Sequence, residues 1–190
     1  LSTMHGCPPD EIERITEYLL TERKLHTIVK MNPTLLGKER VLDILHNALG
    51  FREIHIPDSV FEHDIAYDKA VGLIGRMQTV AAQQGLAFGV KLSNTLAMHN
   101  HKQVMPGDEM YMSGRALYPV TMNLFNKLAH EFNGNLRVSY SAGADALNVA
   151  TIASCGPVPI TACSDLLKPG GYARFAQWLE NLDAAMVAAG

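Results

Sequence analysis

HTIVKMNPT (26–34) and FGVKLSNT (88–95) are the stretches on which the fold turns. Each starts as a short run rich in apolar and β-branched side chains, reaches a Val-Lys step at Val29-Lys30 and Val90-Lys91, then breaks into Asn, Thr, Pro or Ser. Runs of that length bounded by turn residues read as buried strands, and Pro33 removes a backbone donor just where the first should stop. The segments between and beyond these strands therefore settle the layout.

Helical periodicity surrounds both. Residues 10 to 22 place Ile12, Ile15 and Leu19 at i, i+3, i+7, after Pro8 and Pro9 and with Asp10 and Glu11 at the end where the helix dipole favours acid. Residues 38–49 carry Val41, Leu42, Leu45 and Leu49 before Gly50, and residues 65–84 carry Ala66, Ala70, Leu73, Met77 and Ala81 before Gly85. Further helices are predicted from Pro119 to Phe132, with Val120, Leu124 and Leu128 aligned, over 145–154 and over 172–187. Strand-like segments centre near residues 28, 54, 89, 138 and 160; the one at 51–57, FREIHIP, is the weakest, and 96–112 reads as a long polar loop.

Alternation of strand and helix implies a parallel α/β arrangement, either a doubly wound open sheet or an eightfold barrel. A dinucleotide-binding sheet should show GxGxxG after an early strand, and none is present. The expected fold is thus a single α/β domain over residues 1–190 forming a partial TIM (β/α)8 barrel, its later βα units, with one more strand implied before Leu1. The first residue is Leu, which fits a piece of a longer multidomain chain. A truncated barrel leaves a strand edge unpaired, so the piece is expected to pair with a second copy or with the rest of its polypeptide.

Composition narrows the class. Hydrophobic residues make up 47% and charged residues 18%, with a net charge of -3, and no basic stripe suited to a phosphate backbone appears, which argues against nucleic acid. No apolar run of about 18 residues and no basic-then-apolar leader is present, so neither a membrane span nor export is expected, and the cytoplasm is the expected location. Cys7, Cys155 and Cys163 are too widely spaced for a CxxC pair, which suggests neither disulfides nor a metal or iron–sulfur site within this chain. His99 and His101 in the HNH run read as solvated imidazoles rather than metal ligands.

Barrel chemistry gathers where strands end. Lys30 and Lys91, each following a Val, point an ammonium at the barrel mouth, where it can stabilise negative charge or, with its pKa lowered, form a Schiff base with a carbonyl substrate. Asn32, Asn94 and Thr95, just beyond, both donate and accept, as a planar heterocycle requires. Ser141, Ala142 and Gly143 after the penultimate strand, and Thr161, Ala162, Cys163 and Ser164 after the last, are small enough to let a phosphate reach the backbone; Ser113 and Gly114 form a third such turn. Cys7 lies ahead of a helix start, a setting that lowers a thiol pKa and suits a proton donor or base, with His5 two residues away.

LSTMHGCPPDEIERI, VKMNPTLLG, FGVKLSNT, EMYMSGRALYP, YSAGAD and LLKPGGY together closely resemble the YgfK-type selenate reductase family of large iron–sulfur flavoproteins, over essentially the whole chain. That region is in turn similar to the FMN-binding barrel of dihydroorotate and dihydropyrimidine dehydrogenases. The resemblance implies an oxidoreductase acting on a small-molecule substrate. Cys7 would be its base, Lys30 (or Lys91) its flavin lysine, and Asn94 and Thr95 the Asn-Thr pair. Ser113 and Gly114 would form the Ser-Gly turn, and Gly143 with Thr161, Ala162 and Ser164 the phosphate loops. It further implies iron–sulfur clusters and a second flavin module elsewhere in the polypeptide, acting as electron-transfer partners. Two other readings stay open: a Schiff-base enzyme on a phosphorylated metabolite, and a barrel without catalysis that docks electron-transfer modules.

Overall fold

The computed structural model describes residues 1–190. Its first helix, α1 (Pro9–Thr21), starts on a proline whose fixed φ suits a first helical position and carries Asp10 and Glu11 in its first turn. Its buried stripe is Ile12, Thr16 and Leu20, while Ile15 is 39% exposed, so the inward face is turned by about one residue from the apolar spacing. Strand β1 (Thr27–Met31) follows, then a tight turn at Pro33–Leu36 and α2 (Lys38–Leu42), which widens into a looser helical turn over Asp43–Ala48. Next come α3 (Asp58–His63), α4 (Tyr67–Gln83) and β2 (Phe88–Leu92). The remaining elements are β3 (Leu96–His99), β4 (Glu109–Met112), α5 (Tyr118–Glu131), β5 (Arg137–Tyr140), α6 (Val149–Ser154) and α7 (Arg174–Ala188).

β1, β2 and β5 form a parallel sheet in chain order, Val29 opposite Val90 and Val90 opposite Val138. Segments without full strands extend it on both sides. Leu1 brackets β1, donating to Ile28 O (2.7 Å) and accepting from Lys30 N–H (2.9 Å), and Ile160 bridges Tyr140 in parallel. Each new segment thus lies beside the one before it, without the reversal of order that marks a doubly wound sheet. The result is an α/β partial barrel.

The two faces of this sheet differ. Val29, Met31, Val90, Leu92, Val138 and Tyr140 are buried, continuous with the apolar stripes of the helices, including Leu73, Ile74 and Met77 of α4 and Val120, Leu124 and Leu128 of α5. Each such side chain contributes about 1.5–3 kcal/mol by leaving water. The opposite parity, Ile28, Lys30, Gly89, Lys91, Arg137 and Ser139, forms the concave face of the barrel, where Ile28 stays 42% exposed.

Three expectations are corrected. The segment 51–57 is not a strand: β1 pairs directly with β2, leaving no ladder position between them, and Ile56 is buried as an anchor of an irregular crossover. The segment 96–112 is not simply a polar loop, since β3 and β4 form an antiparallel hairpin with Leu96, Ala97, Met98 and Met112 buried. Its tip is organised by Asn100, which donates to Met105 O (2.5 Å) and Gly107 O (2.8 Å) and accepts from Val104 N–H (3.1 Å). The predicted helix over 145–154 is shorter, because Asp145 and Asn148 spend their side chains on a turn: Asp145 N–H donates to Asn148 Oδ1 (2.8 Å) and Leu147 N–H to Asp145 Oδ1 (2.8 Å).

Candidate active site at the strand ends

Lys30 and Lys91 are register partners on the concave face, one residue before β1 and β2 end. No carboxylate neutralises either of them; the lysine ion pairs of this protein belong to Lys38, Lys102 and Lys168. Burial, and then the charge of Lys30 beside it, lowers the pKa of Lys91. Two ammonium groups held together in a half-buried place repel each other, and an anion bound between them would relieve that repulsion.

Just above them the rim is hydrogen-bonded. Asn94 N–H donates to Met31 O (2.8 Å), Asn94 Nδ2 to Asn32 Oδ1 (3.1 Å), and Asn94 Oδ1 accepts from Thr95 N–H (3.0 Å). Ser93, which carries no signal of its own in the sequence, is buried below, its hydroxyl 2.8 Å from that of Thr121 and its N–H donating to Ser141 O (2.6 Å). Ser141 N–H returns to Leu92 O, so the residue after β5 is stitched to the end of β2.

That stitch brings in the small-residue loops. Gly143 lies at φ +66 with its Cα directly against the Gly114–Arg115 backbone, and a Cβ on Gly114 would meet Ser164 Oγ at 3.1 Å. The turns around Ser113, Ser141 and Thr161 to Ser164, far apart in the chain, therefore touch. Arg115 donates to Asp145 Oδ2 (2.5 Å from Nε), fixing the first turn to the second. Asp165 fixes the third: it is 2% exposed and takes Trp178 Nε1 (3.0 Å), Arg174 Nη2 (2.9 Å) and Lys168 Nζ (3.1 Å). Along Ala142–Ala144 and Ala162–Asp165 the backbone N–H groups find no acceptor within the protein. The run is open to solvent at Cys163 and half-buried at Gly143, Ala162 and Ser164, and free donors beside such small side chains fit an anion. Thr161 differs from its neighbours, because both its N–H and its hydroxyl return to Tyr140 O (2.9 Å each).

A cleft of about 290 Å³ opens between the loop after Leu1, α3 and the hairpin, lined by His5, Ser59, His63, Asp64, Glu109 and Tyr111 among others. His5 Nδ1 is 3.6 Å from Asp64 Oδ1 and Nε2 is 3.4 Å from Thr95 Oγ1, while the ring stacks on Tyr111 at 5.7 Å. Asp64 is buried and accepts from Gly6 N–H (3.1 Å) and Thr34 Oγ1 (2.7 Å). Cys7 is not part of this lining: it is half-buried on the hydrophobic core, Sγ 4.0 Å from Pro8 O. In the sequence His5 stands out only as a neighbour of Cys7, Thr34 and Tyr111 only as members of the quoted stretches HTIVKMNPT and EMYMSGRALYP, and Asp64 not at all. Nothing local marks them, because Asp64 arrives through the irregular crossover and Tyr111 through the hairpin.

The family described as "Oxidoreductase YgfK, N-terminal TIM-barrel domain" matches residues 1–189. This chain belongs to that family. It is 48% identical over 185 residues to "Putative oxidoreductase YgfK" of Escherichia coli strain K12, and equally to that of Escherichia coli O157:H7. The alignment covers 97% of this chain and 18% of either relative, so the chain spans less than a fifth of the length of the curated proteins it matches. Membership of the YgfK barrel domain agrees with the singly wound parallel strands. No helix is long and apolar enough to cross a membrane.

Proposed function

We propose that the strand ends of this YgfK-type barrel domain hold flavin mononucleotide, as in the dihydroorotate dehydrogenase barrels, within an iron–sulfur flavoprotein oxidoreductase acting on a small-molecule substrate. The observation that carries this reading is the Lys30–Lys91 pair, two adjacent ammonium groups with no carboxylate of their own. A flavin supplies two-electron chemistry and becomes anionic when reduced, and cations beside its ring favour that state. The other residues fit the same group. Asn32, Asn94 and Thr95 offer donors and acceptors to a heterocycle edge, and the free N–H groups of Ala142–Ala144 and Ala162–Asp165, with Gly114 and Ser164 against them, suit its phosphate.

In this proposal the iron–sulfur clusters and a second, dinucleotide-binding flavin module belong to the rest of the polypeptide and are the electron-transfer partners. Selenate is the acceptor to try first, as loss of selenate with a reduced viologen dye as electron donor. The flavin reading is tested on the full-length protein by its absorbance spectrum and by chromatography of the extracted cofactor. Bound FMN that is lost in Lys30→Ala/Lys91→Ala supports it; a protein that neither carries nor takes up FMN refutes it. A second reading rests on the lowered pKa of Lys91, which favours a free amine able to attack a carbonyl. Borohydride trapping of a sugar phosphate on Lys91 would establish it.

A further inference from the structure

We propose that Thr95, His5 and Asp64 form a proton relay that serves the ligand bound at the strand ends, with His5 as the proton carrier and Asp64 as its positioning residue. The inference rests on the flavin-site reading for its ligand, and stands on the cleft geometry for its parts.

His5 is placed for this task by all its neighbours. Its Nε2 faces the Thr95 hydroxyl at 3.4 Å, and Thr95 also holds the rim through Asn94. Its Nδ1 is buried without a hydrogen-bond partner, yet the Asp64 carboxylate is 3.6 Å away. Partners on the two sides select the tautomer, Nδ1 protonated toward the carboxylate and Nε2 open to the hydroxyl. Asp64 is fixed independently, since Gly6 N–H and Thr34 Oγ1 occupy both of its oxygens. Tyr111 stacks on the ring, the Glu109 carboxylate beside it pushes the tyrosine pKa up, and His63 lines the same cleft. The charged and titratable groups around His5 are therefore Asp64, Glu109, Tyr111 and His63.

In the step itself a proton leaves an O–H or N–H of the ligand for Thr95 Oγ1 as the Thr95 proton passes to His5 Nε2. The ligand becomes one unit more negative and the imidazole one unit more positive, with no change of oxidation state, and the new cation faces Asp64. Reversal delivers the proton. The ligand class is a small polar molecule with an ionisable O–H or N–H, bound at the strand ends on the Thr95 side of the relay.

The test is the rate of His5 carbethoxylation by diethyl pyrocarbonate at alkaline pH in the full-length protein, followed by peptide mass spectrometry, because the reagent attacks an unprotonated ring nitrogen. Asp64→Asn removes the carboxylate that holds the proton on Nδ1, so the ring divides its time between two tautomers and labelling at Nε2 should slow roughly twofold, and Asp64→Glu should restore it. Thr95→Val should free Nε2 and raise the labelling rate at high pH by roughly fivefold, the effect of one hydrogen bond, with Thr95→Ser returning the wild-type rate. An unchanged rate in Asp64→Asn, or in Thr95→Val, overturns the relay. If Asp64→Asn does not fold, the threonine series decides alone. Labelling needs no flavin, so this outcome is read separately from the cofactor spectrum.

Discussion

Replacing Asp165 by Asn tests how the last loop of the site is held. Burial alone would raise the pKa of this carboxylate, but hydrogen bonds from Arg174, Trp178 and Lys168 outweigh it and hold the group at about 2, against 3.8 ordinarily. At about 1.4 kcal/mol per unit, the difference is worth roughly 2 kcal/mol to the docked loop and helix. The folded pKa is depressed, so this stability is fully present above about pH 4 and is lost as pH falls toward 2. Asn keeps an acceptor for Trp178 but no charge for Arg174 or Lys168. The loss should appear locally, as faster hydrogen exchange in peptides from α7 by about 30-fold at neutral pH, the equivalent of ~2 kcal/mol. Exchange in β1 and β2 should stay as in the wild type. If α7 exchanges at the wild-type rate in Asp165→Asn, the carboxylate is not what fastens the loop, and the reasoning fails.

Gly143→Ala puts a Cβ into the Gly114–Arg115 backbone at a left-handed φ of +66, and should cost about 2–4 kcal/mol and free the Ser113–Arg115 turn. Limited proteolysis at Arg115 reads that release. Gly89→Ala would set a methyl 2.6 Å from Arg137 O across the β2–β5 ladder; forcing the strands apart should cost about 1–3 kcal/mol, visible in thermal unfolding. Lys91→Ala removes one of the paired cations, and FMN affinity should fall about tenfold, ~1.4 kcal/mol, by fluorescence titration of the full-length apoprotein. In β1, Lys30→Ala should raise the pKa of Lys91, since the neighbouring charge that helps lower it is gone; the pH dependence of Lys91 acetylation by acetic anhydride, read by peptide mass spectrometry, checks the direction.

The amino-acid sequence by itself determined the units and much of the rim. Val29-Lys30 and Val90-Lys91 announce strands by β-branched content and a polar break, and those two strands pair with both lysines in register. The 65–84 helix was legible because its buried residues, Ala70, Leu73, Met77 and Ala81, recur at helical spacing. Such signals are local, since a chain that must bury one face repeats its apolar residues at the period of the element.

Tertiary structure decided the rest. Phe51–Pro57 has strand-like composition, but a strand needs a vacant ladder, and the direct pairing of β1 with β2 leaves none. Glu109–Met112 sits beside a polar tip and becomes a strand because Leu96–His99 pairs with it and Met112 is buried against the core. His5, Asp64, Thr95 and Tyr111 carry no shared spacing in the chain; they meet because parallel strands side by side release their loops at one end of the sheet. Distances between such loops depend on which strands are neighbours, a property of the whole sheet that no short window of sequence contains.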